Sequence, residues 1–412
     1  PDAPPPVLRL RQGQPARITV ENRLDEVTTV HWHGLRVPNA QDGVPYLTQF
    51  PIGAGESYTY EFTPQDAGTY WYHPHCNTLE QISRGMAGML IVEEAEAPDF
   101  DADLALQLRD FRLGGDGQFL EFWKARAAAR EGTLGTVATA NWQVAPRLAA
   151  PAGGLLRLRL AVTDVTRLFR LRLRGPGADQ ARIVALDGHP LAQPEALEAA
   201  LHLGPGQRAD LVIAMPAEAG ARLTLIRETA AGAEDAVLAE LVAEGPDLGR
   251  RIGSLVPLPP NPVAGPELAR AEKLDFVLGW TPEGAPSNGS VCGDIPYRFW
   301  SINRRVWPGD LPPDPADPLA PLAELKRGRS YVFRLVNESP NRHPIHLHGM
   351  TFRLLNSNKR ALRGNLTDTA LVEANETVDI AFVADNPGDW VFHCHVIEHQ
   401  KTGLAGFVRV LG

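Results

Sequence analysis

Cysteine and methionine are scarce: the 412-residue chain holds three of the first and four of the second. Three cysteines cannot build the disulfide framework that substitutes for a core in small secreted folds. No run of eighteen or more apolar residues occurs, which excludes a membrane-spanning helix. Basic residues are outnumbered, 40 Lys and Arg against 49 Asp and Glu, for a formal net charge of −9. That balance excludes nucleic acid as a partner, because phosphate binding needs clustered cations. Helical periodicity is nearly missing: only "PEALEAALHL" and "EFWKARAAAREG" read as helices, and both are short. The opening "PDAPPP" has no initiator Met and no signal-peptide pattern, and is silent about export.

What is present points to a soluble globular chain, with 44% hydrophobic and 22% charged residues and a length that suits two or three domains. Gly (38) and Pro (36) are scattered between short runs rich in Val, Leu, Thr and aromatics, which reads as many strands joined by turns and an all-β architecture. Three segments repeat this grammar, each long enough for a β-sandwich of about 100 to 150 residues. They are 1–95, whose last strand opens the stretch "GMLIVEEAEAPDFDAD", then 96–250, and then 251–412, which begins within the Pro- and Gly-rich connection "EGPDLGRRIGSLVPLPPNPVAGPE". Arginines alternating with Leu in "LLRLRL" and "RLFRLRLRG" read as solvated faces of half-buried strands. Cys76 and Cys292 could pair, but two lone cysteines in a chain this size read more readily as separate small hydrophobes.

The chain has twelve histidines, and ten of them fall in four clusters, "HWH", "HPH", "HPIHLH" and "HCHVIEH". Side chains two apart on a strand share a face and those an odd number apart do not. His393 and His395 therefore face one way and Cys394 the other, so a single strand feeds two sites. By the same rule His346 and His348 share a face that excludes His343, while His31 with His33 and His73 with His75 form two more pairs. Eight imidazoles gather in one set, too many for one metal and enough for a cluster of two or three. The other set is Cys394, His343 and His399, a trigonal Cys–His–His arrangement suited to an electron-transfer copper. A chance HxH pair is common, but four clusters with one Cys between two cluster histidines are not. His189 and His202 read as turn or strand-surface residues without a functional role.

The four blocks "HWHG", "WYHPH", "HPIHLHG" and "HCHVIEHQKTGL" resemble, in order and spacing, the copper motifs of the multicopper oxidases, the bacterial laccase-like enzymes above all. The likeness extends through "DGVPYLTQFPI", "RGMAGMLIV", "LGPGQRADLV", "FWSINRRVWPG" and "DNPGDWVFHCH". It implies three consecutive cupredoxin-like Greek-key β-sandwich or barrel domains, the middle one without copper, and four coppers per chain. By motif position, His343, Cys394 and His399 would hold a type 1 copper with Leu404 at the axial position, where the absence of a thioether raises the potential. His31 and His346 would hold the type 2 copper, His33, His73 and His395 one type 3 copper, and His75, His348 and His393 the other. Electrons would pass from Cys394 through His393 and His395 to the cluster, where dioxygen is reduced to water. Asp42 matches an acidic residue that assists proton delivery, although an Asp-Gly turn explains it locally as well.

Gln400 departs from the family, where many bacterial relatives carry a Glu at this position, so that proton route would be missing or would shift to Glu398 or to ordered water. The resemblance further implies a reductant docking at the exposed edge of His343 or His399, a monomer, and a periplasmic or extracellular location. The substrates implied are phenols, aromatic amines or metal ions such as Mn(II). Cu(I) as main substrate is disfavoured by the lack of a Met-rich insert around Met86, Met89, Met215 or Met350. A copper-free scaffold protein of this fold would have lost ligands, and all are intact. A copper nitrite reductase needs neither eight cluster histidines nor an HCH motif.

Overall fold

The computed structural model describes residues 3–197, 200–229, 234–281, 297–310, 312 and 319–412. Its strands form three successive pairs of sheets. The first pair sets a four-stranded sheet, in which His31–His33 and Gly68–His73 lie side by side, against the hairpin-like ladder of Ala16–Glu21 with Ser57–Phe62. The second pair has six and five strands between Ala102 and Glu244, and the third has six and five between Glu272 and Leu411. Each pair encloses its own core: Trp32, Tyr60 and Leu90 in the first, Leu158, Phe169 and Leu211 in the second, and Phe333, Ile380 and Trp390 in the third. This is the layered solution expected of alternating strands, which bury one face against a facing sheet. Among the described residues no helix is long and apolar enough to cross a membrane.

Several local expectations are corrected. "PEALEAALHL" is not helical: His189–Ala196 and Leu201–Leu203 are strands, because the segment runs along two sheet edges where tertiary pairing overrides its helix propensity. "EFWKARAAAREG" supplies one helical turn, Ala125–Ala128. Arg170 and Arg174 do face solvent, but Arg157 and Arg159 are each 1% exposed. Their strand, Leu155–Val162, is covered on its outer side by the first sheet pair, and the charges are met there. Arg157 reaches Asp210 at 2.6 Å and Glu94 at 2.7 Å, and Arg159 reaches Asp103 at 2.7 Å and Thr69 at 3.0 Å. Alternation identified the faces correctly, but a face turned away from its own core can still be buried by a neighbour.

The Pro- and Gly-rich connection after Glu244 is extended, as its composition requires, yet it is fixed in place. Asn261 bonds both backbone groups of Ala67 at 2.9 Å and the carbonyl of Gly188 at 3.0 Å, so it ties the first and second sheet pairs together. His189, expected at a turn or strand surface, is 2% exposed and bridges Asn261 and Thr351 at 3.2 Å each, whereas His202 is exposed. Cys76 is disulfide-bonded, which corrects its reading as a separate small hydrophobe. Cys394 is free and buried, and Cys292 lies outside the described residues.

Candidate metal centre

The strand Gly388–Cys394 runs down the middle of its sheet, paired with His343–Leu347 on one side and Ala405–Leu411 on the other. In this register His346 lies opposite His393 and Ile345 opposite Cys394, so the alternation of the two strands is in phase. Cys394 Sγ is 3.6 Å from His343 Nδ1 and 3.5 Å from His399 Nδ1, and the two imidazole nitrogens are 3.1 Å apart. His399 sits on a short helix, Ile397–Lys401, whose first turn brings it back over the thiol. The outer nitrogens are committed elsewhere: His343 Nε2 bonds Ser339 Oγ at 2.9 Å and His399 Nε2 donates to the carbonyl of Arg130 at 2.5 Å. Both Nδ1 atoms are thereby left to face the sulfur.

The expected exposed imidazole edge is absent. His343 and His399 are fully buried, because the segment around Ala125–Ala128 and Thr133 folds over them from the second sheet pair. Glu398 anchors that cover, accepting from the Thr133 hydroxyl at 2.6 Å and from its amide. Its carboxylate is thus bonded to Thr133 and Thr166 within the cover. Leu404 is buried, and its carbonyl accepts the Cys394 amide at 3.0 Å.

The other eight histidines meet between the first and third sheet pairs. His31 pairs with His73 across the first sheet. The rings of His31 and His348 stack at 3.8 Å, as do those of His33 and His346. His348 Nε2 and His393 Nε2 are 3.1 Å apart. His395 lies 4.8 Å from His33 and 5.4 Å from His73, centroid to centroid. Side-chain ligand atoms fall within 4.8 Å of one another in the sets His31, His33, His73; His31, His346, His348; and His75, His348, His393.

Backbone carbonyls and two carboxylates hold the outward nitrogens. His31 Nδ1 donates to the Asp42 carbonyl at 2.8 Å, His73 to Pro74 at 3.0 Å, His346 to Asp368 at 2.8 Å and His393 to Cys394 at 2.9 Å. Asp42 Oδ2 also accepts from His348 Nδ1 at 2.8 Å. Gly43 makes this possible: its φ is +78°, and a Cβ there would lie 1.8 Å from the Val30 carbonyl. The turn and the buried carboxylate are one device, so both readings of Asp42 hold.

Asp368, in "LTDTAL", was missed. Its carboxylate accepts from His33 Nε2 at 3.2 Å, His346 Nδ1 at 3.3 Å and Arg208 at 2.6 Å. Burial alone would raise its pKa, but Arg208 and the two imidazoles hold it well below the usual carboxylate range. A lone Asp at the bend between the short strands Leu366–Thr367 and Thr369–Val372 carries no spacing signal. Its only sequence cue is a buried partner 160 positions away.

Left over are buried nitrogens without partners among the described residues: Nε2 of His31, His73 and His346, Nδ1 of His33 and His75, and both of His395. Seven unpaired imidazole nitrogens in one dry interior are costly and unusual. Lone pairs crowded at these distances fit metal ions, and imidazole with one thiolate fits copper. Burial lowers the pKa of His33, His73, His75, His343, His348, His393 and His395 well below the ordinary value, which keeps them neutral and ready to ligate.

A pH dependence follows for the copper-free protein. Burial brings His399 down to about 3 and His189 to about 4, so both stay neutral in the fold while the unfolded chain takes up protons below about 6.5. Stability therefore falls as pH drops below that value. At pH 5 each contributes a loss of ~2 kcal/mol. Urea midpoints of copper-free protein are expected to be clearly lower at pH 5 than at pH 7.5, and equal midpoints would contradict the neutral assignment.

Multicopper oxidase family models match residues 2–97 and 293–411, the two stretches that supply all ten clustered histidines and Cys394. The fold is similar to the crystal structure of a multi-copper oxidase from Pseudomonas thermotolerans, with a TM-score of 0.88 and 41% identity over 100% of this chain and 92% of that one. A multicopper oxidase of Staphylococcus haemolyticus is 26% identical over 98% of this chain and 81% of its own length. A laccase of Botryotinia fuckeliana, Laccase-2, is 27% identical over 98% of this chain and 76% of its own length. With two buried ligand sets fed by one strand and likeness along the entire chain, the protein belongs to the multicopper oxidases, copper oxidoreductases that pass electrons from a reducing substrate to dioxygen.

Proposed function

We propose that the chain is a laccase-type oxidase holding four coppers: type 1 on His343, Cys394 and His399, type 2 on His31 and His346, and a type 3 pair on His33, His73, His395 and on His75, His348, His393. The domains are assigned as 1–95, 96–250 and 251–412. The observation that carries the reading is the set of buried, unpaired imidazole nitrogens beside a separate thiol–imidazole triangle. When bound, copper supplies one-electron uptake from the reductant and the four-electron reduction of dioxygen to water.

The chain's own residues set the terms. The Cys394 thiol is pushed up by burial and keeps its proton until a soft metal replaces it. The Val396 amide donates to its sulfur at 3.4 Å, which withdraws charge from it. His393 and His395 are bonded to Cys394 through the backbone, giving a short covalent connection between the two sites. Asp42 and Asp368 fix the tautomers and orientations of His31, His33, His346 and His348. Gly206, with φ +88°, lets the "LGPGQR" loop lie directly on the cluster, since a Cβ there would be 3.0 Å from ring carbons of both His33 and His395. Gln400 Nε2 is 3.5 Å from His75 Nε2, so an amide occupies the place from which a carboxylate could hand over a proton.

Phenols, aromatic amines and metal ions remain the substrate classes, with the electron crossing the cover rather than an open imidazole edge. The Cys76 disulfide supports an oxidising compartment, the periplasm or the exterior, and a monomer suffices because one chain supplies every ligand. The test is copper content with the visible spectrum of protein loaded under air. Four coppers per chain with an intense blue band are expected, and one or none without that band sinks the reading.

A further inference from the structure

His343 and His399 are fully buried and their outer nitrogens are capped, so no reductant reaches them directly. One side chain touches both rings from outside the ligand set. Trp300 lies 4.9 Å from the His343 ring and 4.7 Å from the His399 ring, centroid to centroid, and is itself fully buried. Its other face is stacked on Trp280 at 4.1 Å and 19°. Trp280 is 40% exposed.

We propose that Trp280 is the docking point for electron-rich single-ring phenols and aromatic amines, and that the Trp280–Trp300 stack carries their electrons to His343 and His399. The proposal rests on the laccase-type reading. The pair is rigid: the two indoles occupy opposite positions of the ladder between Glu272–Trp280 and Trp300–Ile302. Ser301 Oγ donates to the Trp280 carbonyl at 3.1 Å, and Trp300 Nε1 donates to the Ala128 carbonyl at 2.8 Å. Two parallel indoles followed by two imidazoles form an unbroken π path from solvent to the ligands.

The cleft at this ladder, lined by Val277, Gly279, Ser301 and Glu338, opens on the opposite face of the strands, where Arg304 stands 3.9 Å from Glu338, so the docking surface is the exposed indole of Trp280 itself. The indole face stacks one small electron-rich ring arriving from solvent. In each passage the substrate loses one electron, a phenol also releases its hydroxyl proton to water, and the type 1 centre gains the electron. Both indoles end as they began.

The test is anaerobic stopped-flow bleaching of the blue band of the holoenzyme by 2,6-dimethoxyphenol in the wild type, Trp280→Leu and Trp280→Phe. Trp280→Leu is expected to slow bleaching about tenfold or more while Trp280→Phe keeps most of the rate. In copper-free protein the same phenol is expected to quench indole fluorescence saturably, and the quenching should vanish in Trp280→Leu. An intact blue band with wild-type bleaching in Trp280→Leu overturns this proposal alone. A missing blue band in the wild type overturns the oxidase reading instead, and the copper-free quenching then still decides whether Trp280 binds phenols.

Discussion

Cys394→Ser is expected to erase the blue absorption and bring phenol oxidation down to background, while the cluster histidines keep their copper. The thiol is the soft donor beside His343 and His399, at 3.6 and 3.5 Å. A serine hydroxyl at the same place is a hard donor that does not ionise at neutral pH and gives no thiolate charge transfer. The copper count should fall by one per chain and no further, because His393 and His395 point away from residue 394. Loading the wild type should also release a proton from Cys394 that the variant lacks, measurable in weakly buffered solution. A variant that stays blue would mean that the thiolate site lies elsewhere.

Asp368→Ala is expected to combine a large loss of stability with weakened copper retention. Arg208 is fully buried, and Asp368 meets it with two bonds of 2.9 and 2.6 Å. Asp187 stands 3.4 Å away, its carboxyl pushed up to about 7 by burial and by the Asp368 charge despite Arg208; removing Asp368 removes that second push, so Asp187 supplies part of the lost countercharge and moderates the loss. Stripping one partner from such a buried pair costs about 3–5 kcal/mol. The loss should appear in urea unfolding of copper-free protein. Separately, His33 and His346 lose the acceptor that orients them, for a drop of roughly 10- to 100-fold in cluster copper affinity, read as faster loss to a chelator. Asp368→Asn keeps the shape and part of the hydrogen bonding, and should fall between. An unchanged urea midpoint in Asp368→Ala would refute the pairing argument.

Strand parity alone separated Cys394 from His393 and His395, and the structure brings together the residues that share each face. That worked because alternation is a property of one strand, independent of what packs on it. What packs on it is a different matter. Arg157 and Arg159 alternate like solvent-facing residues and are buried, since the covering surface comes from another part of the chain. The same limit hid Asp368 and the cover over His399, whose partners, Arg208 and Arg130, are 160 and 269 residues away. "PEALEAALHL" failed for a related reason, edge pairing outweighing local preference. The resemblance placed the reductant at an imidazole edge, and here this chain's own cover departs from that pattern.

His348 and Asp42 are bonded across 306 positions of sequence. Neither end of the protein can therefore prepare the cluster by itself. During synthesis the first four histidines emerge early and must wait for His346, His348, His393 and His395 before all eight are gathered. Contacts of this sequence separation form late and slowly. Assembly of the full cluster thus becomes a step after residue 395 has been made, and a nascent chain short of it would present buried-type imidazoles to water with only part of the set to gather them.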